Sequence, residues 1–346
     1  MLHVIDFSEE DKWNSIVSSF RQSDAYWLNG YVDAFYRHGD GEPILFYYED
    51  KMGKAINVAM KRDVADSFSL VNKIEKGKYY DLGTPYGYGG WLIEGDPNRL
   101  DLNKYYSRWC CRNNVIAEFM RFHPSLHNYE DIIDGYDCFR LGSSITMDIE
   151  NPDLVWSNLS LNRRNKIRKA IKAGVKVQAG TGLEALMKFK VIYESTMDAD
   201  NASDYYYFNE DFYRSIAEKM EGYYIVFNAI LEGELIGSSI FLANNGMLNY
   251  HLSGAYKEYN KYSPMSLIIY RAAIFGSAFG CKKLHLGSGV GVSEDSLWEF
   301  KKSFYRGEPT EYWIGGKVFK DREYERLVEL SDVPDTKFFP KYRYRK

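Results

Sequence analysis

Two stretches of this chain carry the same kinds of element in the same order, offset by roughly 165 to 180 residues, which marks a duplicated folding unit. In the first stretch, residues 27–37 (WLNGYVDAFYR) space their aromatic and apolar side chains as an amphipathic helix does. Residues 43–60 then alternate as a hairpin turning at 50–54. In the second stretch, residues 209–220 (NEDFYRSIAEKM) predict a helix, and residues 223–243 a hairpin turning at Glu232-Gly233. The repetition is one of pattern, not of residue identity.

Each stretch continues as strand, helix, strand. The segments are 83–93 (GTPYGYGGWLI), 102–112 and 115–122 in the first, and 247–255, 264–279 and 283–286 in the second. A helix between two strands can cross over a parallel pair, so the expected class is α/β with mixed sheets. A chain of 346 residues suits two domains, and the pattern divides it at 1–150 and 151–346, with the boundary carried by a segment around 148–174. Lys and Arg number 44 against 48 Asp and Glu, a net charge of −4, which excludes a globally basic nucleic-acid coat and leaves a polyanion only a local patch. No signal-peptide pattern opens the chain and Arg271 interrupts the apolar stretch after Ser266, so the expected location is cytoplasmic, without stable membrane insertion. Cys110, Cys111, Cys138 and Cys281 lack metal-ligand or redox spacing, so no metal site and no tightly bound cofactor is expected.

Several segments go beyond pattern. The run 162–177 (NRRNKIRKAIKAGVKV) resembles the stretch that opens the second domain of FemABX-like aminoacyltransferases and their GNAT-type relatives. So do 193–213 (YESTMDADNASDYYYFNEDFY), 84–90 (TPYGYGG), 121–124 (RFHP), and 284–291 (LHLGSGVG) followed by 297–307 (LWEFKKSFYRG). The resemblance implies two tandem GNAT-like domains, 1–150 on the acceptor side and 151–346 holding the donor and the catalytic residues. It implies transfer of an acyl or aminoacyl group onto an amine, often on a cell-wall precursor. No segment is long enough for the coiled-coil arm that some members insert, so the chain resembles the armless type.

Attack of an amine on an ester or thioester passes through a tetrahedral oxyanion, which calls for a nearby positive charge and a route for the ammonium proton. Lys301 and Lys302 lie in WEFKKSF, where Phe300 and Phe304 mark one buried helix face at i, i+4 spacing. The resemblance to the family's FK motif, whose lysine is implicated in stabilising the intermediate, makes Lys301 the first catalytic candidate and Lys302 the second. Composition alone reads two helical lysines as solvated surface. His251 is a third candidate, an imidazole titrating near neutrality that would take a proton from the amine. Strand alternation puts Tyr250, Leu252 and Gly254 on one face and His251 and Ser253 on the other; a packed structural histidine is the competing reading.

Ser263-Pro264-Met265-Ser266 is a helix start with Ser263 as N-cap and Pro264 at the first helical position. The amides of such a turn suit an anion, so Ser263, Met265 and Ser266 are donor-binding candidates, although an ordinary capped helix reads equally well. Residues 256–275 contain no glycine, unlike the acetyl-CoA pattern R/Q-x-x-G-x-G/A, which shifts the expected donor from acyl-CoA toward aminoacyl-tRNA. For the acceptor, Tyr86 and Tyr88 offer flat faces on a glycine-rich segment, and Arg121 and His123 end a strand where α/β sheets commonly bind ligands. Arg163 and Arg168 belong to a basic run with Arg164, Lys166, Lys169, Lys172 and Lys176 that would attract the phosphates of a nucleotide-sugar precursor or of tRNA. The tail 341–346 adds charge or frays.

The expectation is therefore an aminoacyltransferase or acyltransferase acting on an amine of a cell-wall or glycan precursor. The alternatives are an acyl-CoA-dependent N-acetyltransferase of amino sugars or other small amines, and a non-catalytic module that binds glycan or nucleic acid. Donor, acceptor and oligomeric state stay open at this level.

Overall fold

A computed structural model describes residues 1–132 and 135–345; Lys346, the last residue of the basic tail, lies outside them. In chain order the elements are β1 (Leu2–Ile5), α1 (Glu10–Ser18), α2 (Asn29–His38), β2 (Glu42–Glu49), β3 (Gly53–Asp63), β4 (Tyr80–Gly83), β5 (Leu92–Gly95), α3 (Arg99–Arg112), β6 (Val115–Arg121) and β7 (Asp137–Asp148). There follow α4 (Pro152–Asn158), α5 (Leu161–Lys172), β8 (Lys176–Gly180), α6 (Gly182–Ala199), α7 (Glu210–Lys219), β9 (Tyr224–Leu231), β10 (Glu234–Asn244) and β11 (Met247–Ala255). The last are α8 (Pro264–Ala278), β12 (Lys283–Gly287), α9 (Ser296–Lys302), β13 (Thr310–Val318) and α10 (Asp321–Ser331).

Local chemistry explains the hairpins. Glu232 and Gly233 both take left-handed backbone (φ 53° and 90°), the geometry that lets a two-residue turn join right-handed twisted strands, and Leu231 pairs with Glu234. In the first hairpin, Asp50 Oδ1 accepts the amides of Met52 (2.8 Å) and Gly53 (3.1 Å), which folds the turn back on β2.

The chain forms two units, Met1–Leu141 with Tyr312–Lys346, and Gly142–Glu311. This departs from a linear division at residue 150. The reason is strand exchange: β13, which follows the second unit in sequence, pairs antiparallel with β6 (Lys317 opposite Glu118), while β7 pairs antiparallel with β12 (Asp148 opposite Lys283). The segment expected to be a connector supplies α4 and α5 to the second unit. Residues 341–343 of the C-terminal tail are docked on the first unit and are not frayed. Tyr342 is buried, and Arg343 pairs with the buried Asp81 and gives Asp63 O a hydrogen bond of 2.8 Å.

Within each unit the sheet contains one parallel pair crossed over by a helix, the mixed α/β class expected. In the first unit β1, β2, β3 and β4 run antiparallel in turn, β4 lies parallel to β6, and α3 is the crossover. In the second, β8, β9, β10 and β11 are antiparallel in turn, β11 lies parallel to β12, and α8 is the crossover. Residues 83–93 are not one strand. The chain leaves β4 at Gly83 and returns to pair with β3 only at β5.

The second core gathers Ile145, Phe227, Ile236, Phe241, Leu267, Ile268, Leu284, Trp298 and Phe304. Each such side chain contributes about 1.5–3 kcal/mol by leaving water. This core fixes α8 and α9 against the sheet and so sets the frame of the site.

Candidate functional site

The parallel pairing of β11 with β12 stops after Met247, Leu248 and Asn249, opposite Lys283, Leu284 and His285. Beyond that point β11 continues to Ala255 paired only with β10, so the two parallel strands part and leave an opening between their C-terminal ends. At this place a β-bulge also interrupts β11. Phe241 faces Tyr250 and Ile240 faces Leu252, so His251 is the extra residue. The bulge breaks the simple alternation: Tyr250 and Ser253, expected on opposite faces, meet in a hydrogen bond of 2.7 Å from the phenol to the Ser253 hydroxyl.

Lys301 reaches the opening from α9. Asp295 caps α9 by accepting the Trp298 amide (2.9 Å), and the buried Trp298 ties the helix to β7 through an indole hydrogen bond to Ser143 Oγ (3.1 Å). Phe300 and Phe304 pack edge to face at 5.3 Å on the inner side. Lys301 is itself buried, at 9% exposure, with its ammonium donating to Ser288 O (2.6 Å) at the end of β12 and lying 6.0 Å from the Tyr250 ring centre. Burial pulls the Lys301 pKa from 10.5 down to about 8, with the Asp295 carboxylate opposing. The amine is thus mostly charged at pH 7 and still exchangeable. Burial also pushes the Tyr250 phenol up to about 12, so it stays neutral and can donate.

The other expected catalytic residues sit differently. Lys302 turns to two backbone carbonyls, Tyr305 O and Gly307 O, each at 2.9 Å, and so closes the turn after α9. His251 does not titrate near neutrality. Burial lowers its pKa to about 3, so the imidazole is neutral and a weak base at physiological pH.

On the donor side, Pro264 is the first residue of α8 as expected, but Ser263 makes no side-chain cap. Its backbone is left-handed (φ 54°, ψ 49°), outside the extended region from which a serine hydroxyl reaches back to the helix amides. Met265 and Pro264 lie against Gly237 of β10, 3.2–3.5 Å from where a Cβ there would sit. Ser266 is buried and its hydroxyl accepts from Arg163 (2.5 Å). Arg163 is accordingly not on the basic surface: it is 9% exposed and turned inward. Arg168 is on that surface, 5.2 Å from the Trp156 ring centre and with a 3.3 Å bond to Asn165.

The first unit fills its equivalent opening with its own backbone. After Gly83 the chain stays on β6: Thr84 N bonds Phe119 O (3.1 Å), Gly89 N bonds Arg121 O (2.8 Å), and Gly89 bridges Phe122 in parallel. Asn128 holds Gly89 O (2.9 Å) and Trp91 O (3.1 Å), and Trp27 holds Gly90 O (3.2 Å). Gly90 needs to be glycine, because its φ is 92° and a Cβ would lie 3.0 Å from the Phe122 ring. Tyr86 stacks on Phe35 (5.3 Å between centres), and Tyr88 meets Tyr26, His123 and Tyr312 edge-on at 5.1–5.5 Å; both tyrosines stay half-buried. Arg121 is half-buried beside the Phe119 ring (5.0 Å). His123, expected at a ligand-binding strand end, is set deep in the first unit. It is fully buried, with Nε2 3.0 Å from Asp24 Oδ2, which makes it part of the core.

The structure therefore brings together Lys301, Tyr250, Ser253 and Ser288 around one opening, with His251 in the adjoining bulge. Of these, sequence reasoning missed Tyr250, Ser253 and Ser288. The available signal was Tyr250 beside a candidate histidine on the strand entering the crossover.

Residues 160–302 match the family model described as acetyltransferase (GNAT) domain. No curated protein sequence matches the chain. Among solved structures, the fold is similar to that of FemX, with a TM-score of 0.66, 14% identity, and 94% of this chain and 99% of that chain covered. It is also similar to the C-terminal domain of a putative lysylphosphatidylglycerol synthetase from Agrobacterium fabrum (TM-score 0.55, 13% identity, 90% and 93% covered). A third similar structure is a tandem GNAT protein from the clavulanic acid biosynthesis pathway (TM-score 0.50, 8% identity, 92% and 99% covered). Residues 160–302 therefore carry an acyltransferase domain of the GNAT type, in a chain whose fold is similar to that of FemX.

Proposed function

We propose that this enzyme transfers an aminoacyl group from aminoacyl-tRNA onto an amine of a cell-wall or glycan precursor, in the cytoplasm, with Lys301 steadying the oxyanion. The observation that carries the reading is a buried ammonium at the parting of β11 and β12, in a chain that matches FemX over 94% of its length. The acceptor nitrogen attacks the ester carbonyl carbon and the carbonyl electron pair moves to oxygen. The Lys301 ammonium then exchanges Ser288 O for that oxyanion, and Tyr250 stands ready to donate as well. Collapse expels the ribose oxygen, and the proton lost by nitrogen ends on that leaving group or on water. His251, its pKa lowered by burial, lies in the bulge and takes no proton in this scheme.

Among the described residues the parallel strands part in this way in the second unit, which supports one donor site per chain, near Ser263, Met265 and Ser266. The exposed cations of α5, Arg168 with Lys166, Lys169 and Lys172, make no ion pair among the described residues and suit the phosphates of tRNA. Tyr86, Tyr88 and Arg121 of the first unit suit recognition of a precursor. Among the described residues no helix is long and apolar enough to cross a membrane.

An acyl-CoA-dependent N-acyltransferase is the second reading, favoured by the GNAT acetyltransferase match over residues 160–302. Thermal-shift measurements with acetyl-CoA, longer acyl-CoAs, aminoacyl-tRNA and UDP-linked muropeptides separate the two. Stabilisation by tRNA and muropeptide supports the first reading, and stabilisation by CoA esters alone replaces it with the second.

A further inference from the structure

A guanidinium is seldom buried without a carboxylate. Arg163 sits at 9% exposure and makes no ion pair among the described residues. Its fork instead reaches three acceptors from two other elements: Nε to Ser303 Oγ (2.8 Å), one terminal nitrogen to Ser266 Oγ (2.5 Å), and the other to Phe300 O (3.3 Å). Its flat face lies 4.3 Å from the Phe300 ring centre and 4.6 Å from that of Phe304. Ser266 belongs to the first turn of α8, Ser303 caps the end of α9, and Phe300 is the residue before Lys301. A backbone bond from Ser160 N to Ser303 O (2.9 Å) fastens the start of α5 to the same cap.

We propose that Arg163 is a positioning residue that holds the first turn of α8 and the Lys301-bearing helix α9 at a fixed separation. The inference rests on the reading that Lys301 contacts the oxyanion of a donor held by α8. Only arginine has the planar fork and the stacking faces to meet two hydroxyls, a carbonyl and two rings at once; lysine keeps the charge and loses the geometry. Such a buried, uncompensated cation costs stability, and burial already lowers the Arg163 pKa to about 10. That cost is offset in function, because displacing a catalytic group by about 1 Å can lower a rate on the order of 100-fold.

The test uses the full chain and reads Lys301 directly. The pH dependence of Lys301 acylation by a small activated ester, followed by mass spectrometry, reports its ammonium titration without any assumed substrate. Wild type should reach half-maximal reactivity near pH 8. In Arg163→Lys the midpoint should rise by about one pH unit as water reaches a loosened α9. With the donor that the thermal-shift measurements select, aminoacyl-tRNA or acyl-CoA, kcat should fall roughly 10- to 100-fold at a donor KM within about threefold. Ser303→Ala removes a single contact, should shift both readouts the same way by less, and decides the matter should Arg163→Lys not fold. Unchanged midpoint and kcat in variants that merely melt earlier would overturn the positioning role. Full turnover by Lys301→Met would instead refute the Lys301 reading, and the positioning role with it.

Discussion

Replacing Lys301 by Met should make the protein more stable and inactive at the same time. The folded chain buries an ammonium whose pKa falls from the ordinary 10.5 to about 8, a difference worth about 3 kcal/mol. The sign follows from proton counting. Below pH 8 both folded and unfolded chains carry the charge and the folded one bears the full penalty. Between pH 8 and 10.5 the unfolded chain binds more protons, so stability from this group rises with pH, and above 10.5 the penalty is gone. Met fills much the same space without charge but leaves Ser288 O without its lysine, a loss of about 1–2 kcal/mol. The net gain at pH 7 is about 1–2 kcal/mol, or a rise of about 3–6 °C in the melting temperature of a unit this size. Circular-dichroism melts of both proteins at pH 7 and pH 10.5 read this directly. A Met variant that melts at or below wild type at pH 7, or whose advantage persists undiminished at pH 10.5, would refute the reasoning about the buried charge.

Other consequences can be measured independently. Because His251 stays neutral down to about pH 3, the rate profile should show no acid limb near pH 6.5, and an imidazole NMR titration of His251 should stay flat from pH 5 to 8; a midpoint near 6.5 would restore it as a base. Arg343→Gln leaves the buried Asp81 with Arg62 alone (2.8 Å) and should cost about 2–3 kcal/mol in urea unfolding, whereas a frayed tail would give no change. Gly254→Ala would put a Cβ 2.7 Å from Ile192 O and 2.8 Å from Tyr193 Cα, both backbone atoms of α6, so a loss of about 1–3 kcal/mol is expected by thermal denaturation.

Most local elements could be read from residues. Glu232-Gly233, the strand 247–255 and the Pro264 helix start were legible because turn chemistry, period-two alternation and proline's missing N–H act within a few residues. The exchange of β7 and β13 was not, since which edges pair is decided by contacts more than a hundred residues apart, as between Lys317 and Glu118. The bulge at His251 defeated alternation, which assigned Tyr250 and Ser253 to opposite faces although they are bonded. Charge misled twice. Lys301 and Arg163 read as solvated cations by composition, yet tertiary partners, Ser288 O for one and two serines and two phenylalanines for the other, make burial tolerable. The family resemblance singled out Lys301 where local rules read solvated surface, while the inward turn of Arg163 emerged only from the packing of α5 on α8.

The most direct test of the central claim is product mass. The full chain is incubated with aminoacyl-tRNA and a UDP-linked muropeptide, beside acetyl-CoA as competing donor, and the amine is analysed by mass spectrometry. The account predicts one aminoacyl residue added in amide linkage by wild type and none by Lys301→Met. Equal product from both proteins, or acetyl transfer alone, would contradict it.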